Sequence, residues 1–324
     1  MTTMLTTFGL ALMASVISLT GAQAQDAYPS EAITMIVPYT PGGATDIIGR
    51  VVAQGLEQAL GQSVIVENLP GAGGSVGALQ AAQAAPDGYT LLLGALTSHS
   101  INMSLPTAPG FDLMEDFEPV GLTGSVALAL VTRPDLEVDS VEDFLEMARA
   151  APASLTYASS GAGSPQHLGM ELLKAAAGID VIHVPYQGST PALTDIMGGH
   201  VDVMIDTVPS ILPSIDGDAV KLLGVTTLEP SQFLEGVPTV ASAGLDGFEV
   251  QSWFGVLAPA GTPEEITVRL NEAVNAVLES DETKAALEAQ GVVPAPDTRE
   301  AQMERISGEI AKWRTVIEAA GPLQ

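Results

Sequence analysis

The sequence lacks cysteine altogether and contains few basic and few aromatic residues. Its 324 residues include no Cys, 11 Lys and Arg against 39 Asp and Glu, and 4% aromatic residues. The absence of Cys excludes disulfides, thiolate metal ligands and a cysteine-linked lipid anchor. The net charge of −28 argues against nucleic-acid binding, because a phosphate backbone requires a basic surface.

The acidic residues are scattered along the chain rather than grouped in one run. This distribution is typical of a folded acidic surface, not of a disordered acidic tail. Two interpretations stay open: adaptation to a saline habitat, or solubility alone.

Long apolar runs are also scarce, and the clearest one is N-terminal. Residues 1–24 contain an apolar stretch that closes on Ala22-Gln23-Ala24, which predicts a signal peptide with an A-x-A cleavage site. Ser, Thr and Gly interrupt the stretch, and it is too short to predict a membrane span. Its first residues lack Lys and Arg, which departs from the usual pattern. We therefore expect an exported, soluble chain without a lipid anchor.

The rest of the chain alternates strand and helix patterns, which predicts parallel βαβ units. Apolar runs predict strands at 32–39, 63–68, 89–96, 154–159, 180–188 and 200–206. Ser164 and Pro165 are placed to start a helix that Gly178 ends. A stripe of apolar residues ending at Trp313 and Ile317 predicts a C-terminal helix.

Two long apolar strands, 125–136 and 250–261, flank the middle of the chain. About 300 residues after cleavage are enough for two domains. The two strands are therefore interpreted as the crossings of a two-domain protein whose C-terminal segment completes the first domain.

Three glycine-containing loops, 39–46, 159–166 and 186–192, each follow a strand and precede a helix. In an open α/β sheet such loops gather at the carboxyl ends of the strands, where ligands bind. Each loop offers backbone N–H groups, hydroxyls and a helix N-terminus to an anion, and none contains Arg or Lys. For any one loop, glycine that serves only the geometry of a tight turn is the favoured explanation, whereas three such loops with hydroxyls leave ligand binding equally open.

No motif for a cofactor, a metal or catalysis is complete. The glycines of 71–77 miss the dinucleotide-binding spacing, and no P-loop or G-x-S-x-G sequence occurs. The four His lack metal-ligand spacing. His167 alone favours a packing or capping role, and Asp46 is expected to cap its helix. Two roles stay open for Asp206: orienting a ligand or capping a turn. We expect no cofactor and no metal.

Several stretches in order resemble the substrate-binding receptors of tripartite tricarboxylate transporters, the Bug family. They include IVPYTPGGATDIIGR, VIVENLPGAGGSVGA, YASSGAGSPQHLGMELL, HVPYQGSTPALTDIMGGHVDVMID and SWFGVLAPAGTP. Together they cover essentially the whole chain after the predicted signal peptide.

The resemblance implies a periplasmic binding protein-like α/β fold. Two doubly wound α/β domains, 25–124 plus 254–324 and 125–253, would be joined by two crossover strands with a ligand cleft between them. The domains would close by a hinge motion near 127–131 and 253–257. It also implies a periplasmic receptor without catalysis. This receptor would deliver a small carboxylate to the membrane components of a tripartite transporter, and we expect it to be a monomer.

Carried over by motif position, the resemblance also implies site residues. The first domain would contribute Pro41, Gly42, Gly43, Ala44 and Thr45, and the second Ser159, Ser160, Gly161, Ser164 and His167. The distal part of the ligand would contact Thr97, Ser98, Gln187, Gly188 and Asp206.

Two other functions stay open from the sequence. One is a binding protein that signals to a membrane sensor, which the sequence does not separate from a transport receptor. The other is a secreted hydrolase using a Ser and His167, against which the missing nucleophile elbow argues. The ligand of a receptor is open among di- and tricarboxylates, acidic amino acids, nicotinate-like acids and aromatic acids. The low aromatic content weakly disfavours a large aromatic ligand. Two roles stay open for the aromatic residues Tyr39, Tyr186 and Trp253: stacking on a ligand or packing in the core.

Overall fold

A computed structural model describes residues 28–105 and 109–320 of the chain. The predicted signal peptide, and Gly321 beyond the predicted last helix, lie outside the described residues. The strands are β1 (Ile33–Val37), β2 (Val64–Asn68), β3 (Thr90–Ala95), β4 (Phe117–Thr132), β5 (Thr156–Ser159), β6 (Ile182–Pro185), β7 (Val203–Thr207), β8 (Lys221–Val225), β9 (Gln251–Pro259) and β10 (Val292–Pro294).

Helices connect most of these strands. They are α1 (Ala44–Leu60), α2 (Ser75–Ala82), α3 (Leu96–Asn102), α4 (Val141–Ala150), α5 (Pro165–Ala177), α6 (Ser189–Met197), α7 (Val208–Asp216), α8 (Glu264–Glu279), α9 (Asp281–Glu288) and α10 (Arg299–Ala320). None of the helices in the described parts of the chain is long and apolar enough to cross a membrane.

The sheet follows the order β2-β1-β3-β9-β4-β7-β5-β6, and β8 and β10 also pair with β4. β1 runs parallel to β2 and β3, and β5 runs parallel to β6 and β7. Each end of the sheet is thus a parallel α/β unit, as the alternation of strand and helix patterns predicts. We call the unit around β1 the first half and the unit around β5 the second half.

The two halves are joined where β4 and β9 lie side by side. β4 pairs with β9 as far as Ala127 and with β7 from Leu128 onward, so the chain enters the second half at this point. It returns next to the same place, because Val250 donates its N–H to Thr226 (2.9 Å) and Gln251 already pairs with Ala127. The prediction of two crossing strands is confirmed.

Several boundaries differ from the sequence prediction. β4 starts at Phe117 instead of 125, and irregularities in its register with β9 near Pro119 and Leu122 accommodate the glycines in this stretch. Leu96 begins α3 rather than ending a strand. The prediction missed α2, α4, α7, α9, β8 and β10, and α7 is hard to recognise because Pro213 lies inside it.

Helix α10 packs against the cores of both halves. Ile306 is buried in a cluster with Ile36 and Leu92 of the first half. Trp313, fully buried, lies in a cluster with Leu128 and Tyr157 of the second half. The predicted domain boundaries do not describe this double packing, and the division into domains stays a prediction.

Candidate ligand-binding cleft

A cavity lies between the two halves, next to the crossing strands. Its lining is neutral: among the described residues it contains no Lys, Arg, Asp or Glu. The lining residues are Tyr39, Thr40, Gly43, Ala44, Thr45, Ala95, Thr97, Ser98, Ser160, Pro165, Gln166, Ser189, Thr207, Ser252, Trp253 and Phe254.

Many of these residues stand at the N-termini of helices. Gly43–Thr45 begin α1, Ala95–Ser98 begin α3, Pro165 and Gln166 begin α5, Ser189 begins α6, and Thr207 precedes α7. A helix N-terminus carries a partial positive charge and unpaired N–H groups. The cavity is therefore suited to an anion, although the protein is strongly acidic overall.

The glycine loop before α1 contributes its backbone. Among the described residues, the N–H groups of Gly43 and Thr45 form no hydrogen bond. The N–H of Gly42 is not available in the same way, because it donates to Asp46 Oδ2 (3.0 Å). Asp46 thus holds the loop before α1, but the prediction that it caps the helix is wrong, because the N-cap is Gly43 and no side chain caps it. The N–H of Ala44 donates to Ser210 Oγ (3.1 Å) in the second half.

The serine–glycine loop before α5 exposes only one of its hydroxyls to the cavity. Ser160 lines the cavity and donates its hydroxyl to Gln166 Oε1 (2.9 Å). Ser159 is fully buried and pairs with His183 Nε2 (2.7 Å) beneath the loop. Ser164 caps α5 by accepting the N–H of His167 (3.2 Å), as its sequence position predicts.

His167 supports this loop from below. Its ring stacks on His183 with 4.2 Å between centroids, and its Nδ1 accepts the N–H of Gly163 (3.2 Å). Burial lowers the pKa of His167 and lowers that of His183 to about 4. Both rings are therefore neutral near pH 7. Neither Ser159 nor Ser164 nor His167 lines the cavity.

Asp206 lies behind the cavity wall at the end of β7. Its Oδ1 accepts from Gln166 Nε2 (2.8 Å), Ser189 Oγ (2.8 Å) and the N–H of Thr207 (2.7 Å). Burial raises its pKa to about 6. Asp206 accepts the N–H at the start of the turn into α7 and orients two side chains of the lining. That it orients a ligand stays a prediction.

Thr97 and Ser98 line the cavity from the N-terminus of α3. Ser98 lies 2.6 Å from the hydroxyl of Tyr39, and both hydroxyls contact the carbonyl of Gly73 (2.7 and 2.8 Å). Thr97 donates to Glu309 Oε2 (3.0 Å) on α10.

The remaining predicted site residues lie at the rim. Gly161 and Gln187 line a second depression beyond Tyr39 and Ser160, together with the 71–74 turn. The carbonyl of Pro41 accepts the hydroxyl of Thr190 (2.8 Å).

The two halves are also in contact across the cleft at two glycines, Gly188 and Gly73. Beyond the bonds from Ala44 and Thr190, Gly188 packs against Thr40, and Gly73 faces the carbonyl of Ala162. A Cβ at Gly188 would overlap Thr40 Oγ1, and a Cβ at Gly73 would lie 2.5 Å from the Ala162 oxygen. The two halves are thus in direct contact across the cleft.

Sequence reasoning missed several residues that shape the cavity. Gln166, Thr207 and Ser252 line it, and Glu309 is bonded to its lining from α10. Gln166 and Thr207 are neighbours of predicted residues, and Ser189, which also lines the cavity, belongs to the predicted loop 186–192. Glu309 gives no local signal, because it lies more than two hundred residues from Thr97.

The comparisons with known proteins settle the family. The model of the tripartite tricarboxylate transporter family receptor matches residues 48–322. This chain belongs to that family. Among curated relatives, protein BugT of Bordetella pertussis is 37% identical over 91% of this chain and 91% of its own length. A protein encoded in the tcbD-tcbE intergenic region of Pseudomonas sp. (strain P51) is 38% identical over 95% of this chain and 92% of its own length.

Solved structures agree with the fold. A protein of Rhodopseudomonas palustris solved with adipate has a TM-score of 0.88 at 37% identity, covering 91% of this chain and 98% of its own. MatC of the same organism, solved with bound malate, has a TM-score of 0.85 at 32% identity, covering 89% and 99%. The periplasmic binding protein BugD has a TM-score of 0.87 at 32% identity, covering 91% and 99%. The predicted periplasmic binding protein-like α/β fold is confirmed.

Proposed function

We propose that this family member is a periplasmic receptor that binds a small carboxylate in the cleft and delivers it to the membrane components of a tripartite tricarboxylate-type transporter. The observation that carries the proposal is the convergence of helix N-termini on one cavity with a neutral lining. Such a site holds a carboxylate by amides and hydroxyls, without a cationic side chain. The adipate and malate bound to two relatives support this ligand class.

The periplasmic location and the monomeric state belong to the same proposal. The signal-peptide pattern of residues 1–24 supports export. Size-exclusion chromatography with light scattering tests the monomer.

A thermal-shift screen of the chain from Gln25 onward, against mono-, di- and tricarboxylates and aromatic acids, tests the binding function. A ligand at a hundred times its Kd stabilises by about 2.7 kcal/mol, which gives a visible shift in Tm. We expect at least one strong hit. Silence across the panel, together with mass spectrometry showing no small molecule released on denaturation, would contradict the proposal.

The hydrolase alternative has little support from the geometry. Ser159 pairs with His183 but is fully buried, and Ser160 is bonded to Gln166 rather than to a His. We expect no turnover of p-nitrophenyl acetate above the buffer rate.

A further inference from the structure

The hydroxyls on one side of the cavity direct their hydrogens into the protein. The N–H of Thr207 donates to Asp206 Oδ1 (2.7 Å), so this oxygen is an acceptor. Ser189 Oγ and the Gln166 amide contact the same oxygen (both 2.8 Å) and must therefore be donors. The other end of Gln166 is then its carbonyl, and Ser160 donates to it (2.9 Å). Ser160 and Ser189 consequently present oxygen lone pairs, not hydrogens, to the cavity.

Thr97 behaves in the same way on the α10 side. The indole N–H of Trp313 donates to Glu309 Oε2 (3.0 Å), which is therefore an acceptor. Thr97 Oγ1 lies 3.0 Å from that oxygen and itself accepts the backbone N–H of Trp253 (3.0 Å). Its hydroxyl hydrogen is thus directed to Glu309, or to the carbonyl of Gln251 (3.4 Å), and not to the cavity that Thr97 lines. Glu309 is only 6% exposed.

The wall formed by the α1 loop has the opposite character. The N–H groups of Gly43 and Thr45 form no hydrogen bond among the described residues, and they stand at the positive end of α1. Thr40 Oγ1 is buried in the same wall and has no partner within the described residues. This wall can therefore donate hydrogen bonds, whereas the wall of Ser160, Ser189 and Thr97 accepts them.

We infer that the ligand is a carboxylic acid that also carries a hydrogen-bond donor group, a hydroxyl or an ammonium, on its carbon skeleton. This inference rests on the proposed function of carboxylate binding. The carboxylate faces the α1 wall, and the donor group faces the oxygens of Ser160, Ser189 and Thr97. A second carboxylate in that place would be disfavoured, because it would face oxygen lone pairs and the acids Asp206 and Glu309 lie behind them. Among the described residues, the lining has no basic side chain to offset this repulsion.

Titration calorimetry with ligands that differ in one substituent tests this inference. Succinate, malate and aspartate share a four-carbon skeleton and carry hydrogen, hydroxyl or ammonium at one carbon. Propionate, lactate and alanine form the matched three-carbon series. Any larger skeleton that binds in the wider panel is compared with its own hydroxy and amino derivatives.

For the skeleton that binds, we expect the hydroxy or amino acid to bind at least about tenfold more tightly than its unsubstituted parent. Whichever derivative binds more tightly, the hydroxy acid or the amino acid, identifies the donor group. An unsubstituted parent that binds as tightly as both derivatives would overturn the inference while leaving the carboxylate receptor intact. If no carboxylate of any series binds, the proposed function fails instead.

Two substitutions test the acceptor wall directly. Ser160→Ala and Thr97→Val each remove one oxygen, so we expect each to reduce the preference for the substituted acid over its parent several-fold. Ser159→Ala is the matched control, because this neighbouring hydroxyl pairs with His183 and does not line the cavity. It should leave the ratio of the two affinities unchanged even where it lowers both. An unchanged ratio in both Ser160→Ala and Thr97→Val would contradict the assignment of the wall.

Discussion

Two strand–loop–helix segments line the cleft from opposite sides, one ending at α1 and the other at α5. The loop before α1 presents backbone N–H groups at Gly43 and Thr45, and Asp46 fixes it by accepting the N–H of Gly42 (3.0 Å). The loop before α5 presents one side chain, Ser160, while its other serines are bonded inside the protein. Similar local sequences thus act through the backbone in one half and through ordered side chains in the other.

Because of this difference, ligand binding should respond to different changes in the two loops. The α1 loop depends on glycine conformation and on close approach to the second half. The α5 loop depends on the neutral His167 and His183 beneath it, because each ring accepts a hydrogen bond from the loop or holds one of its hydroxyls.

The largest expected effect comes from Gly42→Val in the α1 loop. Gly42 has a φ of +85°, which a β-branched residue rarely adopts, and its Cβ would lie 3.2 Å from Thr190 Oγ1 across the cleft. Strain and overpacking of about 1–3 kcal/mol each predict a loss of affinity of about a hundredfold or more. Titration calorimetry measures the loss, and circular dichroism should show an intact fold.

Gly244→Val is the control for this change. Gly244 has a φ of +84°, and a Cβ added there would have no atom within 4 Å, so the variant has the same backbone strain without the contact. It should bind the ligand like the wild type. If Gly42→Val also binds like the wild type, the backbone role of the α1 loop is wrong.

Gly73→Ala tests whether the two halves must meet at the rim. A Cβ at Gly73 would lie 2.5 Å from the backbone carbonyl of Ala162, which cannot swing aside like a side-chain end. Overpacking of about 1–3 kcal/mol predicts a roughly tenfold or greater loss of affinity.

Gly178→Ala is the matched control for Gly73→Ala, since the two glycines have φ values of +63° and +62° and Gly178 has nothing within 4 Å. Both variants should lose similar stability, but only Gly73→Ala should lose affinity. Equal affinity in the two variants would show that binding does not need this contact.

Lowering the pH should reduce the stability of the folded protein through the two histidines beneath the α5 loop. Burial lowers the pKa of His183 to about 4 and also lowers that of His167, below the unfolded value near 6.5. As the pH falls from about 6.5 towards 4, the unfolded chain gains these protons first, so the histidines make the folded state progressively less stable. Above about pH 6.5 they contribute no pH dependence.

The variant His183→Gln isolates this effect. Glu171 and Lys174 on α5 and Tyr157 on β5 face the pair and stay in place, and titration of His99 and Asp206 is common to both proteins. We expect Tm to fall less between pH 7.5 and 4.5 in His183→Gln than in the wild type. An equally steep fall would assign the acid sensitivity to other groups.

The smallest effect concerns the outer surface rather than the cleft. Raising salt shortens the Debye length from about 30 Å at 0.01 M to about 10 Å at 0.1 M, which screens the repulsion within a chain of net charge −28. We expect Tm to rise over this range. Affinity should change little, because the proposed site offers buried amides and hydroxyls rather than surface charges. A Tm that keeps rising strongly above about 1 M salt would favour the saline-habitat interpretation.

Local signals in the sequence predicted much of the fold. Apolar runs located β1, β2, β3 and β5 within a few residues, and Ser164, Pro165 and Gly178 marked both ends of α5. The prediction was wrong where local rules were overridden. Pro213 lies inside α7, and a register irregularity allows β4 to continue through its glycines.

Neutral loops, rich in glycine and hydroxyls and free of Arg and Lys, can be recognised before the helices of an α/β sheet from local residue patterns alone. Which N–H groups and oxygens of these loops remain for a ligand depends on long-range contacts. Ala44 is bonded to Ser210, 166 residues away, and Thr97 to Glu309, 212 residues away. A donor that is already hydrogen-bonded inside the protein is not available to a ligand. Partners so distant in the chain are brought together only by the packing of the two halves.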